Sequence, residues 1–172
     1  MNMMTAPIQG AYRITLASEV DRDGWRDHAR RLLQAGIAPE QVTWTVEGRR
    51  EAGELDLSPS AIFPEQGSDP IAPPVRISKT LLSLINTALL HSNEDRFDLA
   101  YRILYRAQSI PGLHRNPADP DMLKLNRHAK AIRRDIHKMH AFVRFRKIGD
   151  SAGREQFVAW FEPDHHITQA VA

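Results

Sequence analysis

An apolar stripe between residues 122 and 139 constrains the fold of this chain more than any other feature of its sequence. Its members follow one another at spacings of 3, 4, 3, 4 and 3: Met122, Leu125, Ala129, Ile132, Ile136 and Met139. An α-helix turns about 100° per residue, so these side chains share one face. The sequence therefore predicts a helix that begins at Asp121 and packs this face against the rest of the protein.

The opposite face of the same helix carries a row of positive charges. We call the row the basic ridge: Arg127, Lys130, Arg134 and Lys138. Residues 121–147 hold nine Lys/Arg against two Asp/Glu, although the net charge of the whole chain is only +2. Surface helices usually mix signs to gain i,i+4 ion pairs. The ridge is therefore either a solvated face or a contact surface for nucleic acid or phosphate.

One flank of the helix, between stripe and ridge, brings together Arg133, His137 and His140. The projection places His140 nearest the core, so the two histidines should differ in burial. Three interpretations stay open: packed structural histidines, a phosphate or base site with Arg133 as a forked donor, or a metal site. A metal site needs further ligands, and EPDHHI offers Asp164, His165 and His166.

After Ala141 the apolar period changes from that of a helix to that of a strand. Residues 142–146 alternate, with Arg144 and Arg146 on one face and Lys147 next to them. GDSAGREQ (149–156) predicts a turn, and FVAWFEP (157–163) predicts a second strand. A hairpin with a basic face beside aromatic residues suits a nucleic-acid surface, although we expect most of its aromatic residues, Trp160 and the phenylalanines, to form the core contact of the hairpin.

The N-terminal part predicts a β-α-β unit. Residues 12–16 and 42–46 alternate like strands, and the helix between them is capped by Ser18 or Asp21 and stops at Gly36. The connection favours a parallel pair with a right-handed crossover. The loop after the first strand lacks a Gly-rich phosphate cradle, so we interpret the unit as structural.

A long loop and two helices complete the pattern. Residues 47–76, rich in Pro, Gly and Ser, predict the loop. A helix from Ser78 to Asn93 and a second with Phe97, Tyr101, Leu104 and Tyr105 on one face predict an antiparallel pair. The expected fold is α+β: a β-α-β unit, a central helix pair, and a long basic helix running into a C-terminal β-hairpin. We expect one domain over 1–172, divided into 1–46, 47–76 and 77–172.

Composition excludes several classes of function. The chain has no cysteine, which excludes disulfides, thiolate metal sites and cysteine nucleophiles. Neither an apolar run of membrane-spanning length nor a signal pattern occurs, so we expect a cytoplasmic protein without a membrane partner. No motif points to a cofactor.

Three stretches resemble a bacterial DNA metabolism domain of unknown function: FDLAYRILYRA (97–107), residues 119–146 and FVAWFEPDHHI (157–167). WRDHARRLLQAGIAPEQVTW (25–44) is similar to it too. The resemblance implies a domain that stands alone near a radical-SAM gene or precedes a uracil-DNA glycosylase domain of the uracil-binding class. Family members continue beyond EPDHHI, so we expect this chain to be the N-terminal part of a longer protein. The family offers no catalytic residue to carry over.

These observations lead to three functional hypotheses. The first is a DNA-contacting accessory domain in bacterial DNA repair, which holds phosphates with the basic ridge, Arg144, Arg146 and Lys147. In it, Arg133, His137 and His140 line a more specific pocket. The second is an enzyme acting on nucleotides or damaged DNA, in which His137 and His140 serve as acid/base groups or metal ligands, with Asp164 and His165. The third is a protein-interaction domain that docks a uracil-DNA glycosylase or radical-SAM partner.

Overall fold

A computed structural model describes residues 12–48, 74–149 and 155–168. The N-terminal unit consists of strand β1 (Tyr12–Leu16), helix α1 (Arg22–Gln34), a short 3₁₀ turn (Pro39–Gln41) and strand β2 (Val42–Val46). The two strands pair in parallel, with Ile14 opposite Trp44, which confirms the β-α-β prediction. Of the predicted 47–76 loop, residues 47–48 and 74–76 lie outside helices and strands, and residues 49–73 lie outside the described ranges.

Local sequence explains where α1 begins and ends. Asp21 is the N-cap, and its carboxylate accepts hydrogen bonds from the Gly24 and Ala17 N–H groups at 2.9 and 3.1 Å. Of the two predicted caps, Asp21 therefore takes the role rather than Ser18. Gly36 follows the helix with φ of +69°, a left-handed conformation that residues with a Cβ rarely adopt.

The helical part follows residue 74. It contains α2 (Lys79–Ala88), α3 (Arg96–Ser109), a 3₁₀ turn (Leu113–Arg115) and α4 (Pro120–Phe142). The Ser78 hydroxyl caps α2 by accepting from the Leu81 N–H at 3.1 Å. The prediction that this helix continues to Asn93 is wrong: it ends at Ala88, because the N–H groups of Leu90 and His91 turn to carbonyls three residues back.

Helix α4 begins one residue before the predicted start. Asp119 caps it by accepting from the Met122 N–H at 3.0 Å, and Pro120 occupies the first turn, where its missing N–H costs nothing. Arg106 pairs with Asp119 and Asp121, and thereby fixes the start of α4 against the end of α3.

The apolar stripe of α4 lies where the sequence predicts. Met122, Leu125, Ala129 and Ile132 are buried, and α4 packs mainly on α2. Ile136 and Met139 are only half-buried, against a second, smaller cluster of Leu90, Ile132 and Ile167. The last two turns of α4 thus extend beyond the main core. This places the C-terminal end of the basic helix at the edge of the protein.

The main core joins the β-α-β unit to α3. Trp25 and Tyr101 are buried, and the Trp44 ring lies between them, with ring centroids 6.0 and 5.9 Å apart. The Tyr101 hydroxyl donates to the Ile37 carbonyl at 2.7 Å. These contacts support the interpretation of the β-α-β unit as part of the scaffold.

A C-terminal antiparallel hairpin is present, but its strands are shifted from the predicted positions. Strand β3 spans Arg146–Gly149 and strand β4 spans Glu155–Val158, with Arg146 opposite Val158. Helix α4 continues to Phe142, where the sequence predicts the strand to begin, because the Val143 N–H still bonds the Met139 carbonyl at 3.0 Å. Arg144 and Trp160 consequently lie outside the strands, and residues 150–154 of the turn lie outside the described ranges.

Within the described ranges, no helix has both the length and the hydropathy that a bilayer crossing requires.

Candidate functional site

The basic ridge faces solvent along its whole length. Arg127, Lys130, Arg134 and Lys138 are all exposed. Among the described residues, the first three have no carboxylate within ion-pairing distance, whereas Lys138 Nζ lies 3.7 Å from Asp135 Oδ1. The ridge is therefore a row of cations whose charge this part of the chain leaves largely uncompensated.

The arginines of α3, unlike those of the basic ridge, are paired with carboxylates. Arg102 pairs with Asp98 and Asp121 at 2.7 and 3.0 Å, and Arg106 pairs with Asp119 and Asp121. At the beginning of α4, Lys124 likewise pairs with Asp95. Ion pairing thus neutralises the start of the helix, and the excess of positive charge begins at Arg127.

The flank of Arg133, His137 and His140 differs from the prediction. All three residues are exposed, so the expected difference in burial between the two histidines is wrong. The reason is that this flank lies on the part of α4 that extends beyond the main core. Neither histidine has a hydrogen bond to another described residue. His140 lines a groove at the end of α4.

Aromatic and basic residues alternate beyond the ridge. We call this region the aromatic–basic surface: Phe142, Arg144, Phe145, Arg146, Lys147, Phe157 and Trp160. Its four aromatic side chains are between 62% and 86% exposed. The expectation that most of the aromatic residues form the core contact of the hairpin is therefore wrong for these four rings. Isolated exposed apolar residues are common, but a group of large rings in one region marks an interaction surface.

A groove of about 530 Å³ opens between the end of α4 and the segment that follows β4. Its lining comes from both sides: Met139, His140, Val143, Phe145, Ala159, Phe161 and Thr168. The surface is mainly apolar, with the His140 imidazole and the Thr168 hydroxyl as its polar side chains. Phe145 belongs to both the groove and the aromatic–basic surface.

The metal hypothesis finds no support in the described ranges. No group of three or more His, Asp or Glu side chains there is arranged to hold a metal ion. Asp164 is exposed, whereas the side chain of His165 is only 12% exposed and points to the loop after α2. His165 stacks on His91 there rather than joining His137 and His140 around a shared ion.

His165 belongs instead to a cluster that sequence reasoning missed. The imidazole of His91 lies between those of His128 and His165, with ring centroids 4.0 and 4.1 Å away and interplanar angles of 14° and 33°. We call these three residues the histidine stack. They come from the loop after α2, from α4 and from the C-terminal segment. The stack therefore fastens the C-terminal segment to the helices, together with a 3.0 Å bond from the His166 N–H to the Leu90 carbonyl.

The hydrogen bonds of His165 define its tautomer. Its Nδ1 accepts from the Ser92 N–H at 3.3 Å and faces the Ser92 hydroxyl at 3.0 Å, so Nε2 carries the proton in the neutral ring. Nε2 lies 3.9 Å from Asp135 Oδ2, beyond hydrogen-bonding distance. The order Ser, His, Asp resembles a hydrolase relay, but the backbone N–H of Ser92 donates to the same nitrogen. The arrangement therefore holds the loop in place rather than activating the serine.

Burial makes two imidazoles of the stack, those of His91 and His128, resist protonation. Desolvation lowers the pKa of His91 to about 4, and the neighbouring His128, His165 and Arg96 act in the same direction. Desolvation also lowers the pKa of His128, although the Asp95 carboxylate opposes it. Both imidazoles are therefore neutral at pH 7.

The sequence carries a signal for one member of the histidine stack, His128, which lies on the flank of α4 opposite that of Arg133, His137 and His140. His128 and Asp135 are seven residues, or about two helical turns, apart, and both are buried. Polar residues at that spacing beside an apolar stripe indicate a second packed flank. His91 and His165 carry no such signal, because they lie in irregular segments.

Residues 94–172 match a family described as a domain of unknown function, DUF4130. The match covers α3, α4, the hairpin and the C-terminal segment, which is less than half of the chain, and it leaves out the β-α-β unit. No curated protein and no solved structure matches the chain. The part of the chain that carries the basic ridge, the groove and most of the histidine stack is thus similar to a domain of unknown function.

Proposed function

We propose that this protein is a DNA-contacting accessory domain, and that the basic ridge and the aromatic–basic surface form its interface with nucleic acid. The observation that carries the proposal is the run of exposed cations from Arg127 to Arg134, which lack carboxylate partners among the described residues, followed by exposed aromatic rings. Cations hold phosphates, and aromatic faces stack on bases. Neither property alone distinguishes nucleic acid from other partners, but their combination favours it.

Two observations support DNA as the proposed partner. The chemistry of the surface supports a strand with both phosphates and accessible bases. The resemblance to a DNA metabolism family supports DNA, and a role in bacterial DNA repair, over other polyanions. A catalytic role for His137 or His140 has no comparable support, because neither is hydrogen-bonded to a described residue that would activate it. We therefore propose binding rather than catalysis.

Salt-dependent binding tests the proposal. Fluorescence anisotropy would measure the affinity for labelled single-stranded and duplex DNA at several salt concentrations. Each phosphate contact should contribute about 0.7–0.9 to the slope of log affinity against log salt. Replacing Lys130 and Arg134 with Ala should therefore lower that slope by about 1.4–1.8. The replacement removes two exposed cations that lack carboxylate partners among the described residues.

A matched control removes the same charge elsewhere. Arg26 and Arg30 lie on α1 and pair with Asp23 and Asp27 at 3.2 and 3.6 Å. The double Arg26→Ala, Arg30→Ala variant should keep the wild-type slope. If both double variants lower the slope equally, binding follows net charge and not the ridge. An absence of DNA binding at low salt would refute the proposed function.

A further inference from the structure

We infer that the groove beside the end of α4 receives an unstacked base of a single-stranded nucleic acid. The inference rests on the proposed function and deepens it, because it names the class of strand that the surface selects. The basic ridge would bind the phosphates of a duplex or a single strand alike. The groove adds a contact that only an unpaired base can make.

The dimensions of the groove suit a small planar group. Its volume of about 530 Å³ lies in the range of small-molecule sites, roughly 300–1,000 Å³. Met139, Val143 and Ala159 provide aliphatic lining from both sides. A flat ring in the groove would thus contact apolar atoms from both sides of it, which favours its transfer from water.

Two aromatic rings offer stacking partners. Phe145 is 70% exposed, and Phe161 is half-buried on the opposite, C-terminal side of the groove. An exposed ring at the edge of an apolar groove is unfavourable in water unless something covers it. Every base has an aromatic face, so stacking on Phe145 requires no particular sequence.

The polar groups of the groove match the edge of a base. The two ring nitrogens of the His140 imidazole can take part in hydrogen bonds, and the Thr168 hydroxyl can donate and accept. The polar edge of an unpaired base carries similar groups, whereas the side chain of an apolar peptide carries none. This complementarity favours a base over an apolar peptide as the occupant.

Positive charge lies next to the groove. Arg144 donates through Nη1 to the carbonyls of Ala141 and Val143 at 2.9 and 3.3 Å, which holds its guanidinium beside a groove-lining residue. Arg146 follows Phe145 and is exposed at the start of β3. A strand whose base stacks on Phe145 would therefore place its flanking phosphates near cations. This charge complementarity distinguishes a nucleic acid from an uncharged apolar partner.

Single-stranded oligonucleotides with and without bases test the inference in the full chain. A mixed-sequence single strand, its duplex and an abasic strand with the same number of phosphates would be compared by anisotropy. Wild type should bind the single strand more tightly than the abasic strand by roughly 5- to 150-fold, the effect of one stacked base. Phe145→Ala should lower that preference at least about 5-fold, the smallest effect expected of one stacked base. Leu123→Ala, which removes an exposed apolar side chain of α4 outside both the groove and the proposed interface, should retain it.

A second variant tests the groove independently of the Phe145 ring. Ala159→Phe introduces a bulky side chain into the groove and leaves Phe145 in place, and it should also lower the preference for bases. If both groove variants retain the wild-type ratio, or if duplex binds as tightly as single strand, the inference is wrong. A normal salt slope in that case would leave the proposed function standing. Failure of every oligonucleotide to bind would remove both.

Discussion

Acidification should destabilise this protein through the histidine stack at a pH where its carboxylates are still ionised. Burial lowers the pKa of His91 from 6.5 to about 4 in the folded protein. In the unfolded chain the ring regains its ordinary pKa, so the unfolded state binds more protons between these two values. The contribution of the neutral ring to stability is therefore complete above pH 6.5 and is lost progressively as the pH falls toward 4.

The structure sets the size of the effect. At pH 5, a shift of this size corresponds to about 2 kcal/mol of lost stability for a fully buried group. His91 is only partly buried, and solvent screening reduces this to roughly 1 kcal/mol. The pKa of His128 is also lowered, so its protonation acts in the same direction. The loss should concern the contact between the C-terminal segment and α4 first, because His91 and His128 stack there with His165.

Urea unfolding followed by tryptophan fluorescence at pH 7.5 and 5.0 measures this loss. His91→Gln keeps an acceptor for the Asn93 N–H, which bonds His91 Nδ1 at 3.0 Å, but removes the titrating ring. The variant should lose roughly 1 kcal/mol less than wild type between the two pH values. His137→Gln, at an exposed position on α4, serves as the control. Equal losses in wild type and His91→Gln would refute the assignment of the pH dependence to the stack.

Three further predictions concern stability and are measured by chemical unfolding at pH 7.5. Ile132→Ala removes a fully buried side chain of the stripe and should lower the free energy of unfolding by about 2–5 kcal/mol. Ile136→Ala, at a half-buried position, should lower it by less. The reverse order would show that the buried face of the helix is misassigned. Arg96→Met should lower the free energy of unfolding by about 3–5 kcal/mol, because the guanidinium is only 1% exposed and pairs with Glu19. The same group also donates hydrogen bonds to the carbonyls of Leu89 and Asn93. A loss below about 1 kcal/mol would contradict this reasoning. Asp119→Ala removes both the cap of α4 and a carboxylate partner of Arg106, and it should lower the free energy of unfolding by about 1–3 kcal/mol. Asp119→Asn should lose less, because the asparagine side chain can still cap the helix although it cannot pair with Arg106.

The sequence by itself determined the features that depend on neighbouring positions. The β-α-β unit, a cap of α1 at Ser18 or Asp21, the glycine stop at Gly36 and the apolar stripe of α4 all follow from local periodicity and hydrogen bonding. The exposed basic ridge follows too, because a residue opposite a buried stripe must face solvent. These predictions needed no knowledge of what packs on the helix.

Only the tertiary structure decided which flank of α4 is packed and where the core ends. Helical periodicity places Arg133, His137 and His140 on one flank and His128 and Asp135 on the other, at similar angles from the stripe. The structure buries the second flank, because the loop after α2 and the C-terminal segment meet there. The first flank lies exposed on the turns of α4 that extend past the core. The meeting of His91, His128 and His165 depends on contacts between segments distant in sequence, which no local pattern encodes.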